Sequence, residues 1–367
     1  MKILILQDYL RSGGTERQTI FLANFFQKKG YNTFVMTFRP GGVLMPNIKK
    51  FNIKHLALQT FDTYIDWFAP KLIRKIQEKK PNIVLCMGRI ANIYGGYIQK
   101  KITNCFVIGT IRTGRSLPFL NKIAFKNVKI IVGNSNWWIN ELKRKGFNSK
   151  KIHIINNSLV RNWDLKINKK KRKDFRINFR ANENTCVFLN VANFQSGKRQ
   201  IELIKNCIRL GSTIDWQLWL VGHGSRYFLC KLVAICSSFR HRIKFIGYQE
   251  DPYLYYLAAD VALSASLQDS QPNFLVEAQF MGLPVIAYDY RGVKDCFQSE
   301  KTGLLIPCKD HIKFLNAMIF LAKDHQFRTK INHLARSWSL NNFSKESQAY
   351  KYIKLFSLLT KNNNTSN

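Results

Sequence analysis

The sequence predicts an α/β protein built from two doubly wound parallel sheets in tandem. Short apolar runs rich in β-branched residues alternate with segments of helical length along the whole chain. These runs are apolar on both faces, as the strands of a parallel sheet covered by crossover helices must be. They fall into two sets of six, which predicts one doubly wound domain in each half of the chain.

The predicted elements follow one another regularly. The strands of the first half are residues 2–6, 33–38, 83–87, 105–111, 129–132 and 151–155. The strands of the second half are residues 186–191, 217–221, 243–246, 261–265, 284–288 and 303–306. Near the end of the chain, apolar residues recur at helical spacing, which predicts a closing amphipathic helix. These residues are Tyr350, Ile353, Phe356 and Leu359.

A charge-rich stretch separates the two sets of strands. Lysine and arginine dominate residues 166–180, and repulsion between like charges keeps such a run in solvent. A linker or an exposed entry helix explains this composition, and so does contact with an anionic surface. We therefore predict a first domain at residues 1–163, a basic linker at 164–182, a second domain at 183–342 and the closing helix at 343–360.

Composition narrows the class of protein. The chain has 367 residues, 46% of them hydrophobic, and its 58 Lys and Arg against 22 Asp and Glu give a formal charge of +36. This apolar content excludes an intrinsically disordered chain. No run approaches the roughly 18 apolar residues of a membrane-spanning helix, and the apolar start of the chain is too short for a signal peptide. We expect a cytoplasmic protein, either soluble or bound to a membrane surface.

The positive charge is concentrated in the first half, where residues 1–160 carry 27 basic and 6 acidic side chains. This half would be drawn to anionic lipid or to an anionic glycan. A helix predicted after Pro118 places Phe119, Leu120 and Ile123 on one arc and lysines on another. Such a helix can lie on an anionic bilayer. It can also pack its apolar arc on the core and leave its lysines in solvent.

Two glycines follow the first predicted strand. Gly13 and Gly14 stand where the strand passes into a helix, so the backbone can approach a ligand closely and the helix amides favour an anion. A simple tight turn explains the same pair of residues. The dinucleotide fingerprint Gly-x-Gly-x-x-Gly is absent here, which argues against a nicotinamide enzyme.

The second half repeats this arrangement with cations added. After the strand at 186–191, the chain passes a glycine and enters a helix with Lys198 and Arg199 in its first turn. Such a place can bind a diphosphate. Gly222 then ends the next strand in another glycine turn, where His223 is more simply explained as a polar loop residue than as a base.

Two carboxylates eight residues apart are the most informative feature of the sequence. Asp269 lies in a polar turn, whereas Glu277 lies inside an otherwise apolar helix. A carboxylate on an apolar face is costly unless it accepts hydrogen bonds. The two hydroxyls of a ribose would supply these bonds, and a partner Arg or Lys is the structural alternative.

Taken together, these segments resemble the family 4 glycosyltransferases, retaining enzymes with two Rossmann-like domains (the B-type fold) that use nucleotide-sugar donors. The resemblance covers almost the entire chain and is most specific over residues 186–307. There, Asp269 and Glu277 resemble the family's Glu-x7-Glu motif, which Glu-Ala-x-x-x-Gly-x-Pro-Val completes. The resemblance implies no cofactor, and it implies that the closing helix returns to the first domain.

The resemblance also implies a role for each matching residue. Glu277 would hold the donor ribose, Asp269 would contact the transferred sugar and Lys198 would bind the diphosphate. Gly247 and Tyr248 fall where the nucleobase sits in the family. The other implied donor contacts are Gly13, Gly14, Arg199, Gly222, Gln271, Pro272, Asn273 and Phe274.

Three positions depart from the family pattern. Asp269 is one methylene shorter than the usual Glu, so its contact with the sugar can differ or serve another donor. Arg199 would substitute for an arginine that the family often places near Asn193. Arg112 stands where many members have a histidine. An arginine cannot act as a base, but it can stabilise a leaving diphosphate or bind an anionic acceptor.

The sequence thus predicts a metal-independent, retaining glycosyltransferase with Asp269, Arg112 and Lys198 as its catalytic residues. The expected donor is a UDP- or GDP-sugar, and the expected acceptor is a lipid-linked or cell-surface glycan in bacterial envelope polysaccharide or lipopolysaccharide synthesis. The expected location is the inner face of the cell membrane. A nucleotide-sugar epimerase or hydrolase of the same fold is the alternative enzyme. A nucleic-acid-binding protein would explain the charge, but the sequence carries none of the usual recognition motifs.

Overall fold

Two compact units divide the chain. Unit 1 comprises Met1–Val160 and Lys345–Asn367, and unit 2 comprises Arg161–Ser344. The structure, a computed structural model, describes residues 1–112, 117–159, 163 and 168–364. Residues 160–162 and 164–167, which include the start of the predicted linker, lie outside the described residues.

Unit 1 is built on a seven-stranded parallel sheet with the strand order β3-β2-β1-β4-β5-β6-β7. The strands are β1 Lys2–Gln7, β2 Asn32–Thr37, β3 Lys54–Ala57, β4 Ile83–Cys86, β5 Phe106–Ile111, β6 Ile130–Gly133 and β7 Ile152–Ile154. The sequence predicts six of them, so its count of six for this sheet is wrong. It misses β3 because this short edge strand is only partly buried and lacks the continuous apolar run of a doubly covered strand.

Helices cover both faces of the unit 1 sheet. One face carries α1 Gly14–Lys28, α2 Met45–Lys50 and the closing helix α14 Lys345–Asn364. The other face carries α3 Leu72–Lys79, α4 Arg89–Lys101, α5 Phe119–Asn127 and α6 Trp137–Arg144. Buried Tyr352 and Phe356 of α14 share a core with α1, and the rings of Phe26 and Phe356 lie 5.4 Å apart. The closing helix is therefore part of unit 1.

Unit 2 is built on a six-stranded parallel sheet with the order β10-β9-β8-β11-β12-β13. Its strands are β8 Cys186–Val191, β9 Trp216–Val221, β10 Ile243–Gly247, β11 Val261–Ser264, β12 Val285–Tyr288 and β13 Gly303–Ile306. Its helices are α7 Lys169–Ile177, α8 Gln200–Leu210, α9 Tyr227–Ile235, α10 Tyr253–Ala258, α11 Asn273–Phe280, α12 His311–Lys323 and α13 His325–Phe343. The prediction of two doubly wound α/β sheets in tandem is confirmed. Among the described residues, no helix has the length and apolar character needed to cross a membrane.

Helix α7 shows what the basic residues after the first unit do. Arg176 is buried and donates to Asp260 at 2.9 Å and to the carbonyl of Ala258 at 2.8 Å. Arg172 donates to the other Asp260 oxygen at 2.7 Å. Burial opposes ionisation of Asp260, but the two guanidinium groups hold the pKa of its carboxyl below the usual value. These arginines therefore fasten α7 to unit 2.

The strand order of each sheet reverses at one point, between β1 and β4 in unit 1 and between β8 and β11 in unit 2. The loops that follow the carboxyl ends of such neighbouring strands diverge and leave a crevice, which is the usual ligand position in doubly wound sheets. Lys198 and Asp269 follow β8 and β11, and Gly13 and Gly14 follow β1. Sequence-predicted residues thus stand at both crevices.

Candidate active site

Lys198 and Asp269 meet at the crevice of unit 2. The Lys198 ammonium donates to both oxygens of the Asp269 carboxylate, at Nζ···O distances of 2.8 and 2.6 Å. The Ser266 hydroxyl donates to the same carboxylate at 2.6 Å. The side chains of Lys198 and Asp269 are 20% and 21% exposed, so a ligand can reach both of them.

The backbone brings these two loops together. The 3-10 turn Ser196–Lys198 follows β8, and the amide of Leu267 donates to the carbonyl of Gly197 at 2.8 Å. Gly197 packs against Gln268 so closely that a Cβ at this position would collide with the glutamine side chain. Arg199 then adopts a left-handed conformation with φ 55° before α8 begins. This turn sets Lys198 opposite Asp269.

Arg199 has a different carboxylate partner. Its guanidinium pairs with Glu202, one turn along α8. Glu202 is buried, accepts a hydrogen bond from the Tyr288 hydroxyl and lies 3.0 Å from Nδ1 of His311. Burial and the Glu202 carboxylate raise the pKa of Tyr288 above its usual value. To contact a diphosphate, Arg199 would have to leave Glu202.

Glu277 lies in the middle of α11, between residues that are buried. Its half-buried carboxylate accepts a hydrogen bond of 2.6 Å from the hydroxyl of Tyr256. Tyr256 is fully buried, and its ring lies 5.1 Å from that of Trp163. The sequence predicts that either a ribose or a basic side chain donates to the Glu277 carboxylate. In the structure, the hydroxyl of Tyr256 donates to it.

The predicted segment before Glu277 forms the start of α11. Gln271 is buried, Pro272 is the residue that precedes the helix, and Asn273 and Phe274 are its first two residues. In this first turn, the amide of Leu275 donates to the carbonyl of Pro272 at 3.1 Å. The segment therefore places the N-terminus of α11 shortly after Asp269 in the chain.

Two further glycines shape the neighbouring loops of unit 2. Gly222 has a φ of +141°, and its amide donates to the carbonyl of Gly247 at 2.8 Å. A Cβ on Gly222 would collide with the carbonyl oxygen of Ala192. Tyr248 follows Gly247 and is 52% exposed. The ends of β8, β9 and β10 can therefore lie side by side on the edge that carries Lys198.

In unit 1, Gly13 and Gly14 lie at the N-terminus of α1. The carboxylate of Glu16 folds back over Gly13 and fills the space that a side chain there would need. Burial raises the pKa of the Glu16 carboxyl above its usual value, and a hydrogen bond from its own amide opposes that shift. The helix N-terminus that the sequence predicts as a phosphate site thus holds a carboxylate of the chain itself.

Asp8 is a site residue that the sequence patterns do not reveal. It follows β1, is buried, and accepts hydrogen bonds from the amides of Ile90 at 3.0 Å and Ala91 at 2.7 Å, in the first turn of α4. Burial raises the pKa of the Asp8 carboxyl, and the two amides partly offset this shift. Gly88 permits the contact, because a Cβ there would overlap the Asp8 carboxylate. The clue in the sequence is an acid directly after the first strand.

Asp8, Glu16 and Arg112 line a cavity of about 520 Å³ at the carboxyl edge of the unit 1 sheet. The guanidinium of Arg112 donates to Asn157 at 2.6 Å and to the hydroxyl of Tyr352 at 3.0 Å. The other polar residues of the lining are Gln7, Thr15, Arg89, Asn92, Thr110 and Asn121. Arg112 is therefore a component of this cavity and is held in part by α14.

Two polar atoms of this cavity lining have no hydrogen-bond partner among the residues that the structure describes. Asn121 is buried and donates from Nδ2 to the carbonyl of Arg89 at 3.2 Å, but its Oδ1 accepts no bond. The buried Nε of Arg112 likewise has no acceptor. Buried polar groups are normally paired. An unused acceptor and an unused donor suit a hydroxylated ligand, since each hydroxyl both donates and accepts.

Two family models together match most of the chain. The model described as Glycosyltransferase Family 4 matches residues 12–159, and the model described as Glycosyl transferases group 1 matches residues 171–338. The first match covers β2 to β7 of unit 1, and the second covers all six strands of the unit 2 sheet.

Individual proteins are similar to this chain in sequence or in fold. The lipopolysaccharide core biosynthesis glycosyltransferase LpsE of Rhizobium meliloti (strain 1021) is 21% identical over 94% of this chain and 96% of its own length. The crystal structure of Anabaena Alr3699/HepE in complex with UDP and glucose superposes with a TM-score of 0.83 at 17% identity, over 97% of this chain and 99% of that one. A glycosyltransferase structure from Rickettsia africae ESF-5 gives 0.83 at 20% identity, over 98% and 99%.

Proposed function

The chain belongs to the family 4-type glycosyltransferases, and from this premise we propose that it is a retaining enzyme that uses a UDP- or GDP-sugar. The acceptor that we propose is a lipid-linked or cell-surface glycan of the bacterial envelope. Relatives named for lipopolysaccharide core synthesis and for sugar transfer to diphospho-undecaprenol carriers support this class of acceptor. A structural neighbour determined in complex with UDP-glucose supports a UDP-sugar donor.

The contact between Lys198 and Asp269 is the observation that carries this proposal. A diphosphate bears more negative charge than a carboxylate, so it competes with Asp269 for the Lys198 ammonium. When the ammonium turns to the diphosphate, Asp269 can accept hydrogen bonds from hydroxyls of the transferred sugar. One ion pair thereby links binding of the phosphate to binding of the sugar.

We assign Glu277 to the ribose of the donor. The Tyr256 hydroxyl donates to this carboxylate and orients it, and carboxylate oxygens accept the kind of hydrogen bond that ribose hydroxyls donate. The remaining donor contacts that we propose are Gly13, Gly14, Arg199, Gly222, Gly247, Tyr248, Gln271, Pro272, Asn273 and Phe274. Of these, Gly247 and Tyr248 would contact the nucleobase.

The transfer breaks the bond between the sugar C1 and a diphosphate oxygen and forms a bond from C1 to the acceptor oxygen. Retention requires the acceptor to attack from the face that the diphosphate leaves, and a phosphate oxygen then takes the acceptor's hydroxyl proton. Lys198 would stabilise the negative charge that builds on the leaving group. Within the described part of the chain, no group of three or more His, Cys, Asp and Glu side chains could hold a metal ion. We propose that transfer is metal-independent.

The unit 1 cavity is our candidate for the acceptor. Its volume of about 520 Å³ accommodates a sugar ring, and its lining supplies hydrogen-bond acceptors at Asp8, Glu16 and Asn121. Sugar hydroxyls are the donors that match these acceptors. Arg112, whose Nε has no acceptor among the described residues, would bind an oxygen of the acceptor or of the leaving phosphate.

We also propose that the enzyme works in the cytoplasm at the inner face of the cell membrane. In α5, Phe119, Leu120 and Ile123 are 74, 57 and 46% exposed, and Lys122 lies among them. Ala124 is buried, so one side of α5 packs on the core while its exposed apolar side chains remain available to lipid. The sequence leaves open whether α5 lies on a bilayer or packs on the core. The buried side of the helix supports packing on the core, and the exposed apolar side supports contact with lipid.

A panel of donors tests the proposed function. In thermal-shift measurements, at least one UDP- or GDP-sugar should raise the melting temperature, because a ligand of the folded state stabilises it. Release of the nucleoside diphosphate should then require an acceptor glycan. Release without an acceptor would identify a hydrolase instead, and a changed sugar on the nucleotide would identify an epimerase. Tighter binding of nucleic acid than of any nucleotide sugar would also overturn the proposal.

A further inference from the structure

The segment between β3 and α3 exposes five large apolar side chains. Phe61, Tyr64, Ile65, Trp67 and Phe68 are 72, 81, 40, 64 and 43% exposed. We refer to residues 59–69 as the aromatic loop. Single exposed apolar residues are ordinary on protein surfaces, but a contiguous group of this size marks a place of contact.

A buried glutamine holds the aromatic loop from below. Gln59 donates from Nε2 to the carbonyls of Ile65 at 2.9 Å and Phe68 at 2.7 Å. Its Oε1 accepts hydrogen bonds from the amide of Thr63 at 3.3 Å and from the Thr63 hydroxyl at 2.9 Å. One side chain therefore satisfies several polar groups of the loop and fixes its path, so the exposed rings are carried on an ordered backbone.

A buried arginine fixes the loop a second time. Arg39 is 7% exposed and donates two hydrogen bonds to Asp62, at 2.7 and 2.9 Å, and one to Asp66 at 2.9 Å. Arg11 reaches the other oxygen of Asp66 at 2.6 Å. The hydrogen bonds from Arg39 hold the pKa of Asp62 below its usual value. Because both carboxylates of the loop are paired with arginines, its outward surface is apolar and carries no unbalanced negative charge.

Tyr64 shows that this presentation has a conformational cost. Its φ is 59°, in the left-handed region that bulky residues rarely occupy. One side of the tyrosine ring faces the Arg39 guanidinium at 5.2 Å, yet the residue remains 81% exposed. Strain of this kind persists where the surrounding structure imposes it, and it is concentrated at functional sites.

The surroundings of the aromatic loop combine positive charge with further apolar side chains. The next helix, α3, carries Arg74, Lys75 and Lys79. Its one acid, Glu78, lies 3.1 Å from Arg74 and 3.6 Å from Lys75, so the cations of the helix outnumber its acids. The Tyr94 hydroxyl of α4 donates to the carbonyl of Trp67 at 2.8 Å, which ties the loop to the sheet face that also carries α5. On that face, α5 contributes the exposed Phe119.

We propose that the aromatic loop inserts into the headgroup boundary of an anionic bilayer and anchors unit 1 there. Trp and Tyr favour this boundary because each has an apolar body and a polar edge, and the excess of cations over acids on α3 attracts anionic lipid. A second copy of the chain would bring like charges together, which is unfavourable. The inference rests on the membrane part of the proposed function and adds a preformed apolar anchor to attraction by charge.

Co-sedimentation of the full chain with vesicles tests the anchor, using phosphatidylcholine vesicles with and without phosphatidylglycerol. The vesicle partition coefficient of the variant F61S/Y64S/W67S should be at least about tenfold lower than that of the wild type. The variant lacks three aromatic side chains whose transfer from water into the bilayer favours binding. Phe228→Ser is the matched control, since Phe228 is 77% exposed on α9 of unit 2, and it should bind like the wild type. At high salt, which screens the lysines and arginines, the wild type should keep residual binding that the triple variant lacks.

Trp67 provides a second readout. Brominated lipids should quench the fluorescence of the wild type more than that of Trp67→Phe. Transfer to a detergent-solubilised acceptor should be the same for wild type and triple variant, which separates failure of the anchor from failure of the transferase assignment. Equal vesicle binding by the two proteins would overturn the proposal. So would a triple variant that binds vesicles normally but loses self-association or affinity for a water-soluble glycan.

Discussion

The Lys198 ammonium contacts both carboxylate oxygens of Asp269, although the two residues stand 71 positions apart in the sequence. The contact joins the loops on either side of the point where the unit 2 sheet reverses its strand order. Because both side chains are one-fifth exposed, water partly screens the pair, and opening it costs little compared with a buried pair. The exchange that we propose, in which Lys198 leaves Asp269 for the phosphates of the donor, therefore costs little.

Lys198→Met should weaken binding of the nucleotide-sugar donor. A hydrogen bond to a charged group contributes about 1.5–3 kcal/mol, which corresponds to roughly a 10- to 150-fold loss of affinity. Isothermal titration calorimetry with the donor found in the panel measures this loss. Lys205→Met, which removes an exposed lysine of α8, is the control and should leave the affinity unchanged. Equal affinities for wild type and Lys198→Met would contradict the assignment.

Glu277→Ala should abolish donor binding and transfer, because the ribose hydroxyls lose their acceptor and Tyr256 loses its partner. A 2′-deoxy nucleotide distinguishes these two effects. The wild type should bind it more weakly than the ribonucleotide, whereas any residual binding by Glu277→Gln should discriminate less between them. Glu300→Ala, at an exposed position of unit 2, serves as the control. Full activity of Glu277→Ala would contradict the assignment of Glu277 to the donor ribose.

Buried strands were the most predictable part of the fold. Strands such as β4 and β12 are buried at every position, so they appear in the sequence as uninterrupted apolar runs. β3 lies at a sheet edge with an exposed lysine and partly buried neighbours, and its four residues carry no comparable pattern. Edge strands are stabilised by pairing with one neighbour, which is a tertiary contact that local composition does not record.

The same reasoning separates the predictable part of the site from the rest. The sequence motifs predict Lys198, Asp269 and Glu277 as site residues, but they do not predict the partner of each. Tyr256 reaches Glu277 only because α10 and α11 pack near each other, and Asp8 meets Ala91 across 83 positions of sequence. Such contacts form only when the chain folds, so local sequence patterns do not predict them.

Arg176→Met should destabilise unit 2. Removing one partner of a buried ion pair costs about 3–5 kcal/mol, because the remaining charge stays buried with less compensation. Here Asp260 would keep only Arg172 as its cationic partner in the described contacts. Urea unfolding measures the change in free energy. Lys173→Met removes a 66% exposed lysine of the same helix and should change stability by less than about 1 kcal/mol. A similarly small effect of Arg176→Met would contradict the structural role of this arginine.

Treatment with a metal chelator should leave the rate of sugar transfer unchanged. The proposed mechanism assigns stabilisation of the leaving diphosphate to Lys198, with Arg112 as a second candidate, and such preorganised donors need no divalent ion. Steady-state rates with and without EDTA, after dialysis into metal-free buffer, provide the measurement. Complete loss of activity that divalent metal restores would refute metal independence, while the donor assignments of Lys198 and Glu277 could still stand.

Glu16 makes a prediction about pH. Because burial raises the pKa of the Glu16 carboxyl in the folded chain above its usual value, the folded state binds this proton more tightly than the unfolded state. The free energy of unfolding of the wild type therefore falls as pH rises through the unfolded and then the folded pKa of Glu16, and it stays lower above both.

The variant Glu16→Gln tests this, because it cannot ionise and because glutamine also suits the N3 position of a helix. Its free energy of unfolding relative to wild type should thus be higher at about pH 7 than at about pH 4. Denaturant titrations at both pH values measure this difference. Glu16→Ala should show the same change with pH at a lower overall stability, since it lacks the capping group. A difference between Glu16→Gln and wild type that does not vary with pH would show that the carboxylate of Glu16 is not buried over Gly13.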